Sequence, residues 1–363
     1  MSITEPEAWG EKYRISEGIY KSLSLRVKEL LGEILTLAKI DVVQIEARAK
    51  ELDSFIEKIK RKEGQYSDPL TQITDLTAAR IIVYYQEDVS RVCELIEQEF
   101  VIDWPNSVDK STLLDVDQFG YRSTHYVVQI SRQRGKLREW ESYKEIRFEI
   151  QVRTVLQHAW AAINHKLDYK SANEAPPTLR RNLFRLSALF ELADEQFSSI
   201  HKDSKRIESE YKDKVADGNF DVPLNDLSLQ AYLSSHPQME ATKRLLAAHG
   251  YEPEDISAER ADRGRKRVAR MLQACGIASL NDFDQALQHE VPLAIQFVNL
   301  GAKVPIEVMI GGLVAISRGM DEETGKEIYS GSTWPKYLRA RNAFVTKALS
   351  TSGGVVPARK EQP

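Results

Sequence analysis

Apolar positions recur at helical spacing from residue 11 to 39, where Leu23, Val27, Leu30, Leu31, Ile34 and Leu37 share one broad face. The period then shortens. "VVQIEARAK" (42–50) alternates as a half-buried strand does, and "ELDSFIEKIKRK" (51–62) returns to helical spacing. "AARIIVYY" (78–85) is a continuous apolar run, rich in β-branched and aromatic residues, the pattern of a buried strand. Helical spacing resumes over 88–100. "STHYVVQI" (123–130) and "IRFEIQV" (146–152) read as two further strands, antiparallel neighbours, and a helix over 153–169 closes the unit. These elements predict an α+β domain: a mixed sheet of four or five strands flanked by helices.

After "NEAPP" (173–177) the strand signals cease. Residues 178–215 read as one long helix. "DGNFDVPLND" (217–226) groups Gly, Pro, Asp and Asn as a linker does. From 227 to 350 the spacing predicts several helices and no strand. The expected organisation is a first domain over 1–216, an all-α regulatory or partner-binding domain over 222–350, and a disordered tail over 351–363.

Composition changes this picture little. Of 363 residues, 42% are hydrophobic and 29% charged, as in soluble globular proteins. No apolar run approaches the ~20 residues of a membrane helix, and "MSITEPEAWGEKYRISEG" lacks the cationic start and apolar centre of a signal peptide. Cys93 and Cys275 suggest no disulfide framework. A reduced, cytoplasmic setting without a membrane partner is expected. The net charge of -4 is no general nucleic-acid signature. Local basic clusters stand at 58–62, 179–185 and 260–270, the last with Arg263, Lys266, Arg267 and Arg270 on one helix face, where a solvated surface is the simpler reading.

The candidate chemistry lies in four segments of the first domain. Arg48 and Lys50 are two apart on a strand and share a face. Lys58 follows Ser54 by one helical turn. Together they suit a polyphosphate, although each alone reads equally well as solvated charge. "DLTAAR" (75–80) puts Asp75 before an apolar strand, where it would hold a metal or simply end a turn. "FGYRSTH" (119–125) contains Gly120, which permits close backbone approach, Tyr121, which could stack on a base, and His125. "EIQVRT" (149–154) alternates Glu149, Gln151 and Arg153 along one strand face; His158 and His165 follow on a helix. "GMDEETGKE" (319–327) is no phosphate loop: five residues separate its glycines where four are needed, and Glu327 stands where Ser or Thr would hold magnesium. No zinc-binding spacing occurs.

Taken in order, Arg48-x-Lys50 with Ser54 and Lys58, "DLTAAR", "GYRSTH" and "EIQVRT" resemble the synthetase domain of the RelA/SpoT family, the alarmone synthetases. The likeness covers roughly residues 10–215, and "HAWAAINHKLDYK" (158–170) is similar to the family's small single-domain members. It implies a nucleotidyltransferase-like fold and a GTP pyrophosphokinase-like enzyme that moves pyrophosphate from ATP to the 3′-hydroxyl of GDP or GTP. By this resemblance Asp75 and Glu149 would be catalytic and hold Mg²⁺, with Glu149 also the base. Arg48, Lys50, Ser54, Lys58 and Arg153 would bind ATP, and Gly120, Tyr121, His125 and Gln151 would bind the acceptor. Two departures bear on the acceptor. Asp117 and Phe119 stand where many relatives have Lys and Asn, and Asn164 stands where a Glu often precedes the histidine. A tRNA 3′ end or an adenine nucleotide is therefore an alternative acceptor, as in toxin-type or antiphage relatives, and a catalytically silent nucleotide-sensing module is a second alternative. No His-Asp pair occurs, so the resemblance does not extend to the family's hydrolase domain. It suggests control through the helical region, by an antitoxin or a phage or ribosomal partner.

Overall fold

The computed structural model describes residues 5–109, 123–166, 176–252, 258–298, 304–329 and 333–351. It comprises two compact units, Met1–His201 and Lys202–Pro363.

In the first unit the chain runs α1 (Glu5–Leu37), β1 (Val42–Ala49), α2 (Leu52–Arg61), α3 (Pro69–Gln72), β2 (Thr77–Val83), α4 (Gln86–Glu99), β3 (Phe100–Ile102), β4 (Val108–Asp109), β5 (Thr124–Ile130), β6 (Phe148–Thr154), α5 (Val155–Lys166) and α6 (Pro177–Ala216). The sheet is mixed, ordered β1-β2-β6-β5-β3 with β4 beside β5. Among the described residues only β2 and β6 pair in parallel; the other pairs are antiparallel, β5 with β6 included. The sheet exceeds the expected four or five strands because β3 and β4 hold three and two residues, too few to show a period.

One sheet face is apolar. Ala79, Ile81 and Val83 of β2 and Phe148, Ile150 and Val152 of β6 pack with Leu23, Val27, Leu31 and Leu35 of α1 and Val89, Val92 and Ile96 of α4. Successive strand side chains point to opposite sides, so burying these residues turns their neighbours to the other face. A second cluster joins the start of α1 to α2 through Tyr13, Tyr20, Phe55 and Ile59. There the Tyr13 ring stacks on Phe55 with centroids 4.6 Å apart, and its hydroxyl donates to the Lys50 carbonyl at 2.5 Å. This fixes the backbone where β1 ends.

The first half of α6 is held by polar contacts. The Thr154 hydroxyl donates to Asp194 at 2.6 Å, and the Gln86 amide donates to the Ser198 hydroxyl at 3.1 Å. Both Asp194 and Thr154 are buried.

The second unit contains the last part of α6 and α7 (Asp226–Ser235), α8 (Pro237–Ala248), α9 (Ala258–Ala274), α10 (Leu280–Gln285), α11 (Val291–Ala294), α12 (Ile306–Arg318), α13 (Glu322–Ile328) and α14 (Thr333–Thr351). Residues 217–226, expected as a linker, belong to this unit and run along its surface except at two positions. Val222 and Leu224 are buried in its core, and Pro223 bridges Ser279. Gly218 at a φ of 71° turns the chain out of α6, so the linker-like composition serves a tight turn into a core. The expected tail at 351–363 lies outside the described residues except for Thr351, the end of α14.

Candidate active site

The polar face of the first unit's sheet carries the candidate chemistry, because β6 alternates. Phe148, Ile150 and Val152 turn inward, so Glu149, Gln151 and Arg153 turn outward together. Register then sets neighbours. Ala78 lies between Arg48 and Glu149, and Arg80 between Glu46 and Gln151, whose other neighbour is His125.

β1 ends where β2 begins, and the Lys50 amide donates to the Leu76 carbonyl at 2.9 Å. Asp75, in the turn before β2, thus meets Lys50 from β1 and Lys58 from α2. The two ammonium groups donate to its two oxygens at 2.7 and 2.8 Å. Burial alone would raise the Asp75 pKa, but the lysines outweigh it and hold the carboxyl below its ordinary range. Two cations around one anion leave a net positive charge, as a polyphosphate site requires.

Glu149 is paired differently. His125 Nδ1 lies 2.5 Å from its Oε1, and Gln151 donates to the same oxygen at 2.9 Å. The Ser123 hydroxyl lies 2.8 Å from His125 Nε2, and Arg153 Nη2 lies 3.5 Å from that nitrogen. Arginine only donates, so Nδ1 is left to donate to Glu149. Burial would raise the Glu149 pKa and the charge of Asp75 pushes it the same way. The hydrogen bonds from His125 and Gln151, and the His125 charge when protonated, hold it below the usual glutamate range. Glu149 is therefore ionised at neutral pH and ready to accept a proton.

The structure thus brings together Asp75, Lys50 and Lys58 in one cluster, and Glu149, Gln151, His125 and Arg153 in another. Arg153 is buried beside His125, whereas Arg48 and Ser54 are exposed at the end of β1 and on α2. Gly120 and Tyr121 lie outside the described residues, as do Asp117 and Phe119, and the His165 side chain is not described. His158 on α5 feels the charges of Arg80, Glu46 and Arg153, and burial lowers its pKa, so it is neutral at physiological pH. Its Nδ1 is buried without a hydrogen-bond partner.

Glu46 was not among the expected residues. It accepts from Arg80 Nη1 at 3.0 Å, and Arg80 Nε donates to Gln151 at a longer 3.4 Å. The available signal was its position two before Arg48, on the same strand face. The basic face of α9 has protein partners: Lys266 pairs with Asp262 at 2.9 Å, Arg270 with Glu327 at 3.2 Å, and Arg267 donates to the Ile328 carbonyl.

Asp75 and Glu149 are ionised, largely withdrawn from solvent and close enough to feel each other's charge, which suits a hard cation. Among the described residues no cluster of three or more His, Cys, Asp or Glu could hold a metal by itself.

A mixed sheet with one cationic, acid–base face defines the first unit as a candidate group-transfer domain. Residues 47–174 match the family model described as "Region found in RelA / SpoT proteins". It is 28% identical over 176 residues to GTP pyrophosphokinase YjbM of Bacillus subtilis, covering 47% of this chain and 77% of that protein. It is 26% identical over 159 residues to GTP pyrophosphokinase YwaC of the same organism, covering 43% and 72%. Among solved structures, small alarmone synthetase 1 of Bacillus subtilis is similar at 26% identity and a TM-score of 0.45, covering 54% of this chain and 99% of that one. The same protein bound to its product pppGpp is similar at 24% identity and a TM-score of 0.45.

Proposed function

We propose that the chain is an ATP:nucleotide 3′-pyrophosphotransferase that takes GDP or GTP as acceptor. The observation that carries this reading is the ionised, hydrogen-bonded Glu149 on the same polar face as the Asp75–Lys50–Lys58 cluster. The relatives named GTP pyrophosphokinase support it.

In this reaction the acceptor's 3′-oxygen bonds to the β-phosphorus of ATP. The bond from that phosphorus to the oxygen shared with the α-phosphate breaks, AMP leaves, and the 3′-hydroxyl proton passes to Glu149. A positioned base of this kind contributes typically ~10²–10⁴-fold. His125 and Gln151 both occupy Oε1, so they fix the carboxylate plane while Oε2 faces the proton. Lys50 and Lys58, with Arg48, neutralise the triphosphate, and preorganised cations of this sort stabilise the charge that builds in phosphoryl-type transfer. Asp75 and Glu149 would hold Mg²⁺, which supplies further neutralisation of the phosphates when bound. Ser54 borders the triphosphate, Arg153 supports it from the β6 side, and Tyr121 with Gly120 receives the acceptor base.

The test is direct. Purified protein is given γ-³²P-labelled ATP with GDP, GTP, excess unlabelled ATP or total tRNA, with magnesium or with chelator. Labelled guanosine product with magnesium only is the expected result. Label on tRNA or on an adenine nucleotide instead would replace the acceptor assignment, and no label on any acceptor would favour a silent binding module.

A further inference from the structure

Glu46 is half-exposed, and an ion pair at such a place ordinarily contributes little to stability. Its position matters more. It stands in register with Arg80, which stands in register with Gln151, so three adjacent strands present three polar groups in one row. Glu46 Oε2 accepts from Arg80 Nη1 at 3.0 Å. Arg80 Nε then reaches Gln151 Oε1 at 3.4 Å, and Gln151 Nε2 donates to Glu149 Oε1 at 2.9 Å.

The direction of this chain follows from hydrogen-bond chemistry. A guanidinium has donors and no acceptor, so it can meet only the oxygen of the Gln151 amide. With that oxygen committed, the amide nitrogen must face Glu149. Flipping the amide would put its nitrogen against Arg80 and its oxygen against the Glu149 carboxylate, two repulsive contacts. Arg80 thus sets the amide orientation, and Glu46 holds Arg80 at the opposite end.

We infer that Glu46 is a positioning residue for the proposed transfer: through Arg80 it fixes the Gln151 amide, and so keeps a donor on the catalytic carboxylate of Glu149. This rests on the proposed function for its catalytic meaning, though the relay itself is a property of the sheet.

Two measurements test it. The first is a carbon-13 carboxyl titration of the full chain labelled at glutamate, with Glu149 assigned from Glu149→Gln. In Glu46→Ala the Gln151 donor is lost part of the time, so Glu149 titrates at higher pH than in the wild type; in Glu46→Gln, which keeps an acceptor for Arg80, most of the shift is absent. The second is steady-state kinetics. Glu46→Ala lowers kcat by roughly ten-fold with both KM values nearly unchanged, and the acid limb of its pH profile moves upward with the titration. Added to Gln151→Met, Glu46→Ala has no further effect, because the link it acts through is already cut. An unmoved Glu149 titration in Glu46→Ala, or losses that add in the double variant, would overturn the relay. A wild-type chain that transfers no pyrophosphate, with the titration shifted as described, would overturn the catalytic meaning and the proposed function while leaving the hydrogen-bond chain in place.

Discussion

At the scale of single residues, the site divides into two carboxylates in opposite surroundings. Asp75 is neutralised by two ammonium groups, whereas Glu149 keeps its charge beside an imidazole and an amide. Only the second can take a proton without first breaking a lysine pair. Glu149→Gln preserves size and can still accept from His125. It is expected to lower turnover by about two orders of magnitude or more while leaving the thermal midpoint close to wild type. Wild-type turnover in the labelled-ATP assay would remove Glu149 from the base role. In the unsubstituted chain activity should decline as pH falls through the depressed Glu149 pKa, below the ordinary glutamate range. The motif residues were legible because Glu149, Gln151 and Arg153 alternate visibly along one strand. Glu46 was not, since a lone acid on a half-exposed strand looks solvated until register places Arg80 beside it.

At the scale of elements, helix contacts decide stability. Asp194 of α6 is buried against Thr154, and burial raises its pKa above the ordinary value. A raised carboxyl pKa means that the folded state resists ionisation. The contribution of Asp194 is therefore most favourable below the unfolded aspartate pKa and is lost as pH rises through that value toward the folded one. Asp194→Asn removes the ionisation, so its thermal midpoint relative to wild type should climb from pH 3.5 to pH 7. A difference independent of pH would show that Asp194 is not the buried acid described. In the second unit, a Cβ on Gly325 of α13 would fall on the buried Trp334 ring of α14, whereas one on Gly264 of α9 would meet Val308 at 3.8 Å, an ordinary contact. Overpacking typically costs ~1–3 kcal/mol, and Ala in place of a helical Gly contributes roughly 1 kcal/mol. Gly325→Ala should lower the thermal midpoint and Gly264→Ala should hold or raise it; equal midpoints would deny the close α13–α14 approach.

At the scale of the whole molecule, the buried apolar clusters among the described residues divide between the two units. The apolar clusters around the sheet and beneath α2 belong to the first unit, and the large cluster around Tyr232, Leu272, Phe283 and Leu313 belongs to the second. Separate cores make separate cooperative transitions the expected outcome, so calorimetry should resolve two heat-absorption peaks. A chain ending at Ala216 should retain the transition that carries the sheet and should transfer pyrophosphate at least as fast as the full chain. A folded but inactive truncation would assign the second unit a part in completing the site or binding the acceptor.

The amino-acid sequence by itself determined the types of the longer elements, the alternation that gives β6 its polar face, and the order of the motifs. These follow from local period and residue chemistry, which act within a few positions of the chain. Strand register, the pairing of Lys50 and Lys58 with Asp75, the link from Glu46 to Gln151, and the burial of Val222 and Leu224 were decided by tertiary structure. Each joins residues whose separation along the chain says nothing about their separation in space. A carboxylate looks the same in sequence whether an ammonium, an imidazole or water faces it, and folding alone brings one of them within hydrogen-bond reach.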